Sequence, residues 1–317
     1  MEKPKISVIM AVKNGAKSVG KTIDGILGQS FQGFEFIIVD DYSDDGTWDI
    51  LKQYEKQDER IVLIKNVKWE GRCISRNKAL KSANGEYIAV TDGDDFSKFN
   101  RLAEEVVYLD THPNCYLVGA RAEIQDENGR KIGVSWGAGY DGDISDILET
   151  NNRLVHSSVM FRNTQRYQYR EKFTYAQDYD LFLQMLLDNK QIHLLEKILV
   201  IYSTKKNLDY NEYLMRQTYF AEAAKYLFRE KKYNYNDLYN KFDNTKLEQY
   251  VPRKVLLEMK MKHAFFNKKF KKARRYLEEL MNIDPSTEWR VYYLDSFFHG
   301  NLRKIARKLK RGTIRSK

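Results

Sequence analysis

The sequence holds only two cysteines in 317 residues, so a disulfide-stapled fold is excluded. Cys73 and Cys115 have only each other as partners, and nothing around them argues for a bond. Reduced thiols in a cytosolic protein are the simpler expectation. Long apolar runs are also missing. No stretch approaches the roughly 20 apolar residues that span a bilayer. The run Ile6 to Val12 is too short for a signal-peptide core with a cleavage site. The expected location is cytoplasmic, with peripheral attachment to the inner face of the cell membrane left open. A net positive charge is missing from most of the chain as well. The last 67 residues carry 19 Lys and Arg against 6 Asp and Glu, which leaves 35 against 38 for residues 1–250. The net charge of +10 therefore belongs to the C-terminal region. This asymmetry suggests a near-neutral catalytic or binding domain with a basic appendage.

What is present is an alternation. ISVIMAV (6–12), FEFIIVD (34–40), IVLI (61–64) and YIAVT (87–91) predict buried strands. Between them, Val19, Ile23, Ile26 and Leu27 fall at helical spacing. Thr47 to Gln57 predicts a second helix, and Ile74 to Ala83 a third, stopped by Asn84-Gly85. Such alternation predicts an α/β fold with a mostly parallel sheet and helices on both faces. Ligands bind such sheets at the carboxyl ends of the strands. Those ends carry Lys13-Asn14-Gly15, the acids from Asp40 to Asp45, and Asp92-Gly93-Asp94-Asp95. Three carboxylates within four positions repel one another, so a neutralising partner is expected, or a locally raised pKa or mobile loop where there is none.

Further on, Arg101 to His112 predicts a helix and Cys115 to Ala120 a strand. Asn128-Gly129 signals a hairpin turn, and Gly133 to Asp143 a glycine-rich loop. LVHSSVMF (154–161) and Ile198 to Tyr202 predict strands on either side of a helix from Asp178 to Leu187. From about Tyr210 the pattern is all helix.

SVIMAVKNG, FEFIIVDDYSDDGT, SRNKALKSANGEYIAVTDGDD and AQDYDLFLQM stand in the order and spacing of one known family. Residues 5–203 resemble family 2 glycosyltransferases of the GT-A fold. The resemblance implies a Rossmann-like GT-A catalytic domain over 1–205, followed by a helical, basic region over 206–317. It implies inverting transfer of a sugar from a UDP-sugar donor, dependent on Mn²⁺ or Mg²⁺. The implied acceptor is a glycan or a lipid-linked glycan, in bacterial surface polysaccharide synthesis.

Residue roles follow from the resemblance. Asp92-Gly93-Asp94 matches the DXD motif. A hard divalent cation takes oxygen ligands, bridges phosphate oxygens and acts as a Lewis acid for the leaving group. Asp94 is the implied metal ligand, Asp92 and Gly93 contact the donor, and Asp95 shares one task or the other. The alternative, an Asp-rich turn capping the next helix, explains one acid more easily than three. Asp41 matches the acid that accepts the uracil imide N–H, with Asp40 as its neighbour. Ala11, Val12 and Asn14 fall in the first donor-binding block. Asp44, Asp45 and Gly46 read instead as a turn with a helix cap at Asp45 or Thr47. Arg76 and Asn77 match an Arg-Asn pair whose guanidinium approaches base or phosphate oxygens, and Arg72 is a second candidate. For both arginines the alternative is a solvated helix face. Asp178 matches the catalytic base, against the plainer reading of an acid at a helix N-terminus. Asp180 reads as structural.

Three departures stand out. Gln177 replaces the acid that usually precedes the base. Lys13 stands where an aromatic residue usually lies near the nucleobase. Ser203-Thr204-Lys205-Lys206 replaces an Arg and a nearby His, so Lys205 or Lys206 re-makes the diphosphate contact or it is absent. His156 lies near the acceptor side, or is a satisfied structural residue.

Residues 262–285 resemble the second part of a tetratricopeptide repeat, read here as a local helix pair because solenoids need several units. Trp289 to Arg311 mixes aromatic residues with cations. It fits either an interfacial helix on anionic lipid or a packed amphipathic helix with a solvated basic tail. No nucleic-acid motif is present. Two other functions compete: a sugar-1-phosphate nucleotidyltransferase, disfavoured by the brevity of Lys13-Asn14-Gly15-Ala16-Lys17 as a phosphate loop, and a non-catalytic nucleotide-sugar-binding scaffold.

Overall fold

A computed structural model describes residues 3–204, 210–230, 235–267 and 269–284. The first half alternates as the sequence predicts: β1 (Ile6–Val12), α1 (Val19–Leu27), β2 (Phe34–Asp40), α2 (Thr47–Gln57), β3 (Ile61–Lys65), α3 (Arg72–Ser82) and β4 (Tyr87–Val90). Then come β5 (Phe96–Ser97), α4 (Arg101–Thr111), β6 (Cys115–Gln125), β7 (Lys131–Val134), β8 (Gly142–Asp143) and α5 (Ser145–Leu148). A 3-10 turn over His156–Ser158 leads into β9 (Val159–Arg162), followed by α6 (Gln177–Leu187) and β10 (Gln191–Ser203). The rest is helical: α7 (Tyr210–Arg229), α8 (Tyr235–Lys241), a 3-10 turn at Leu247–Tyr250, α9 (Arg253–Phe266) and α10 (Phe270–Ile283).

The sheet runs β3-β2-β1-β4-β9-β6-β10-β5, with β7 paired to β6 and β8 to β10. The first four strands are mutually parallel. The short β9 is antiparallel to β4 and β6, while β10 runs parallel to β6. The sheet is thus mixed: its four longer ladders are parallel, and its five short ones, to β5, β7, β8 and β9, are antiparallel. Period-two alternation divides β1 between its faces. Ile6, Val8 and Met10 pack with Val19, Ile23 and Ile26 of α1. Ile9 joins Cys73, Ala79 and Leu80 of α3 and Leu181, Phe182 and Met185 of α6 on the other side. Both faces are covered, so β1 and β4 are almost wholly apolar and buried.

The strand expected over 154–161 is shorter than its apolar pattern. The Ser158 hydroxyl donates to Val155 O at 2.8 Å and Ala120 O at 2.7 Å, which closes a turn before β9 begins. Strands β6 and β10 run longer than expected because they pair with each other through two bulges near Ile198. The glycine-rich segment 133–143 holds the end of β7 and the whole of β8. Gly85, after α3, lies so close to β1 that an added Cβ would meet Ser7 N at 2.5 Å. Glycine is required there by backbone proximity.

Contacts divide the described residues into two compact units, and not at position 205. Of the described residues, 227–230 and 235–244 belong with the sheet, while 210–226, 245–267 and 269–284 form the second unit. In the first unit, Phe242 stacks on Phe173 at 5.0 Å, and the Lys172 ammonium donates to the carbonyls of Tyr239, Asn240 and Phe242. In the second, α9 and α10 pack through Leu257, Met261, Ala264, Ala273, Leu277 and Leu280, the helix pair expected around 262–285. No described helix is long and apolar enough to cross a membrane. The segment Trp289 to Arg311 lies outside the described residues, as does Lys205.

Candidate functional site

Strands β1 and β2 end together, and β4 ends short of them at the same edge of the sheet. Val12 lies opposite Asp40, and Ile9 opposite Val90. The loops that follow them carry the polar groups. The first two loops are stitched reciprocally: Asn14 N donates to Ser43 Oγ at 2.9 Å, and Asp44 N donates to Asn14 Oδ1 at 3.1 Å. Asp45 accepts from Ala16 N at 3.0 Å and from Thr47 N at 3.1 Å, so it holds the turn before α2, whose N-cap position is Gly46 and not Asp45 or Thr47. The Thr47 hydroxyl is the main reason the Asp45 carboxyl is held below the ordinary range. Ala11 is half-buried, and Val12 O accepts the amide of Asp41 at 2.8 Å.

Asp41 is buried and holds the loop after β3. Its carboxylate accepts from Asn66 Nδ2, Glu70 N and Gly71 N, each at 2.9 Å. Two of those bonds fall on Oδ1 and one on Oδ2. A carboxylate oxygen takes two donors, so Oδ2 keeps an acceptor position. Asp40 is fully buried. Its Oδ2 accepts Ser43 N at 3.2 Å, and its Oδ1 has no partner.

The neutralising partner of Asp92 comes from the protein itself. Arg76 Nη2 lies 2.5 Å from Asp92 Oδ1, and His156 Nδ1 lies 3.4 Å from Oδ2. Burial works to raise the Asp92 carboxyl, but Arg76 and His156 outweigh it and hold it well below the usual range. Arg76 is only 5% exposed, so it is no solvated face. Arg72, by contrast, is exposed at the first residue of α3. Tyr169 braces the cluster. Its hydroxyl meets His156 Nε2 at 2.9 Å, and its ring centre lies 5.4 Å from the Arg76 guanidinium. Asn77 clamps the Tyr169 backbone at both ends, donating to its carbonyl at 2.8 Å and accepting its amide at 2.9 Å. Asn77 thus serves through Tyr169.

Asp95 is neutralised differently. It is 2% exposed, accepts Ser203 N at 3.0 Å on Oδ1, and bonds the Ser157 hydroxyl through Oδ2. Burial, with Asp92 and Asp94 nearby, pushes its carboxyl up to about 8. Three adjacent acids therefore have distinct states. Asp92 is ion-paired and held low, Asp95 is pushed up by burial and ties the turn to β10, and Asp94 is half-buried between them.

Asp178 sits in the first turn of α6, and Asn152 Nδ2 donates to its Oδ2 at 2.9 Å. Ala176 before the helix adopts φ 52°, a left-handed conformation that non-glycine residues rarely hold. Burial raises the Tyr169 phenol pKa, Arg76 opposes that, and Asp92 and Asp178 add to it. Gln177 is buried and its Oε1 has no partner. Asp180 is fully buried, accepting Arg170 Nε at 2.8 Å and Gln184 Nε2 at 3.0 Å, a structural role as expected.

Tyr169, Asn152 and Ser157 escape a reading of the sequence because no local pattern marks them. Asn66 follows β3 directly, so the strand-end rule that singled out Asp40 and Asp92 could have found it. Among the described residues, no three His, Cys, Asp or Glu side chains gather to hold a metal ion.

A model described as Glycosyl transferase family 2 matches residues 7–189. An uncharacterized glycosyltransferase of Methanocaldococcus jannaschii is 30% identical over 245 residues, 75% of this chain and 84% of the relative. A poly(ribitol-phosphate) beta-glucosyltransferase of Bacillus spizizenii is 25% identical over 306 residues, which cover 93% of this chain and 45% of that protein. The crystal structure of S. aureus TarS 1-349 in complex with UDP-GlcNAc is similar at a TM-score of 0.57 and 18% identity, over 95% of this chain and 92% of that one.

Proposed function

The chain belongs to glycosyl transferase family 2 and has the GT-A fold, and from that premise we propose that it is an inverting, UDP-sugar-dependent enzyme. Its proposed acceptor is a glycan or lipid-linked glycan of a bacterial surface polymer. One observation carries this reading. Asp40 Oδ1, Thr91 Oγ1, Arg76 Nε and Nη1, and Gln177 Oε1 are buried polar atoms without protein partners. Asp40, Thr91 and Arg76 gather at the strand ends, and Gln177 adjoins Asp178. A buried polar atom left unpaired costs about 1–3 kcal/mol. A charged, hydroxyl-rich ligand satisfies such atoms. The poly(ribitol-phosphate) glucosyltransferase and the UDP-GlcNAc complex among the similar proteins favour a surface polymer and a uridine donor.

The proposed roles are those the family resemblance implies, and the geometry is compatible with them. Asp178, oriented by Asn152, accepts the proton of the acceptor hydroxyl as it attacks. Asp92, fixed by Arg76 and His156, presents an ionised carboxylate to donor hydroxyls. Asp41 offers the open position on Oδ2 to the uracil imide N–H. Ala11, Val12, Asn14 and Gly93 supply backbone along the donor. Asp94 would hold Mn²⁺ or Mg²⁺ together with diphosphate oxygens. When bound, the cation offsets the charge of the leaving diphosphate. The C-terminal basic segment is proposed to rest on anionic lipid, which liposome flotation with and without residues 289–317 tests.

A screen of UDP-sugars with Mn²⁺ or Mg²⁺, scored by UDP release, tests the activity. Release from at least one donor is expected, and no metal-dependent release from any donor refutes the proposal. Asp178→Asn should lower kcat by about 10²–10⁴-fold while donor binding survives. A non-catalytic scaffold would show no such split.

A further inference from the structure

A cleft of about 510 Å³ opens between α3 and the segment that follows β9, and none of the roles above uses it. Its buried lining is apolar, with Leu80, Tyr116 and Tyr167. Bonds within the protein fix its walls. Tyr116 Oη donates to Arg162 O at 2.9 Å, Tyr167 Oη donates to Asp188 Oδ2 at 2.7 Å, and Gln165, held at φ 57°, donates to Asn163 Oδ1 at 3.1 Å. Two lining side chains stay outside these bonds. The Lys81 ammonium and the Gln168 amide are exposed and make no hydrogen bond or ion pair to another described residue. The charge balance is positive. Lys78, Lys81, Arg162 and Arg166 line the cleft against Glu171, and from outside it Glu70 pairs with Lys78 at 2.6 Å and Asp188 with Arg166 at 2.7 Å. Asn77 also lines the cleft and directly follows Arg76, while Gln168 directly precedes Tyr169. The cleft and the cluster around Asp92 therefore share a wall.

We propose that this cleft is a second glycan-binding site, which holds an anionic stretch of the acceptor remote from the hydroxyl that reacts. The inference rests on the glycan-acceptor reading above and deepens it. A sugar ring has an apolar face and a hydroxyl edge, which matches an apolar lining with a few placed polar groups. Fixed walls lose little freedom when a ligand enters. Lys81 and Gln168 exchange bonds to water for bonds to the ligand, with no internal pair to break. The positive balance selects carboxylate or phosphodiester groups, which form charge-assisted bonds with the Lys81 ammonium. A polymer held at a second point presents its reacting end at a raised effective concentration.

The test uses the full chain and titration calorimetry with two anionic probes, hexagalacturonate and a glycerol-phosphate hexamer, and with neutral maltohexaose. At least one anionic hexamer should bind about 10-fold or more tightly than maltohexaose, and the preferred one tells carboxylate from phosphodiester. Lys81→Glu should weaken that binding about 10- to 100-fold, the loss expected for a charge-assisted hydrogen bond, and Gln168→Ala about 3- to 10-fold. Lys81→Arg should keep most of it. Both side chains are exposed, so the variants should melt as the wild type does, which separates binding from folding. Wild-type affinity in Lys81→Glu and Gln168→Ala places the binding elsewhere, such as on the basic C-terminal region, and overturns the cleft. Equal binding of maltohexaose overturns the charge selection. A chain that releases UDP from a donor but binds neither anionic hexamer overturns this inference and leaves the activity intact. Hexamer binding without UDP release from any donor refutes the activity and leaves the site.

Discussion

Asp92 and Asp95 show how far two identical side chains can diverge within four positions. Asp92 meets Arg76 and His156, and Asp95 meets two serines in a buried site. The sequence showed that the acids must be neutralised, through repulsion alone. It did not show how, because Arg76 and His156 come from distant positions in the chain. A raised pKa was one expected outcome, and Asp95 has it, at about 8. The sign of its effect follows from linkage. Unfolded, an aspartate titrates near 4. Between about 4 and 8 the folded chain keeps a proton that the unfolded chain releases, so stability falls as pH rises across that window. Asp95→Asn removes the titration, and its amide can still accept from Ser203 N and donate to Ser157. Calorimetric melts from pH 5 to 9 should show a flatter decline for the variant, with its advantage over the wild type growing toward pH 8. A parallel pair of curves would argue against a protonated Asp95.

At the level of elements, the site depends on residues that touch no ligand. Arg101 of α4 is fully buried. It donates to Val90 O at 2.8 Å and Val159 O at 3.2 Å, and pairs with Glu105 at 3.0 Å. It thereby fixes the end of β4, two residues before Asp92, and the start of β9, just after the turn that carries His156. Burial pushes the Glu105 carboxyl up to about 7, only partly offset by Arg101. Arg101→Met should cost about 3–5 kcal/mol in urea unfolding, since it strands a buried carboxyl and two carbonyls. UDP release should fall as well. The apolar alternation made β1 to β4 legible, together with their helices. It misread 154–161, because hydroxyl side chains close a turn within an apolar run, and pattern alone does not register Ser158 bonding to Val155 and Ala120.

At the scale of the whole molecule, the catalytic unit is discontinuous in sequence. Phe242 is 3% exposed against a fully buried Phe173, three residues before the strained Ala176 that opens α6. A chain ending at 204 loses this contact and the carbonyls that hold Lys172, while a chain ending at 244 keeps both. Burial of one Phe side chain contributes about 1.5–3 kcal/mol. The shorter chain should therefore melt at a lower temperature and bind UDP more weakly than the longer one. Equal melts would mean that 227–244 adds nothing to the sheet unit. The shift from helix-and-strand alternation to all helix was plain in the sequence. The return of one helical segment to the sheet was not, because an amphipathic face does not name its partner.

The sequence by itself determined the alternation of strands and helices in the first half, the edge at which the acids meet and the family, because period-two and helical patterns and strand-end polar clusters are local and repeat in register. Only the tertiary structure decided which acid is ion-paired, which has its pKa raised by burial and which buried polar atoms lack a protein partner. Those states depend on charge and burial contributed by Arg76, Ser157, Tyr169 and Ser203, brought together from four separate parts of the chain.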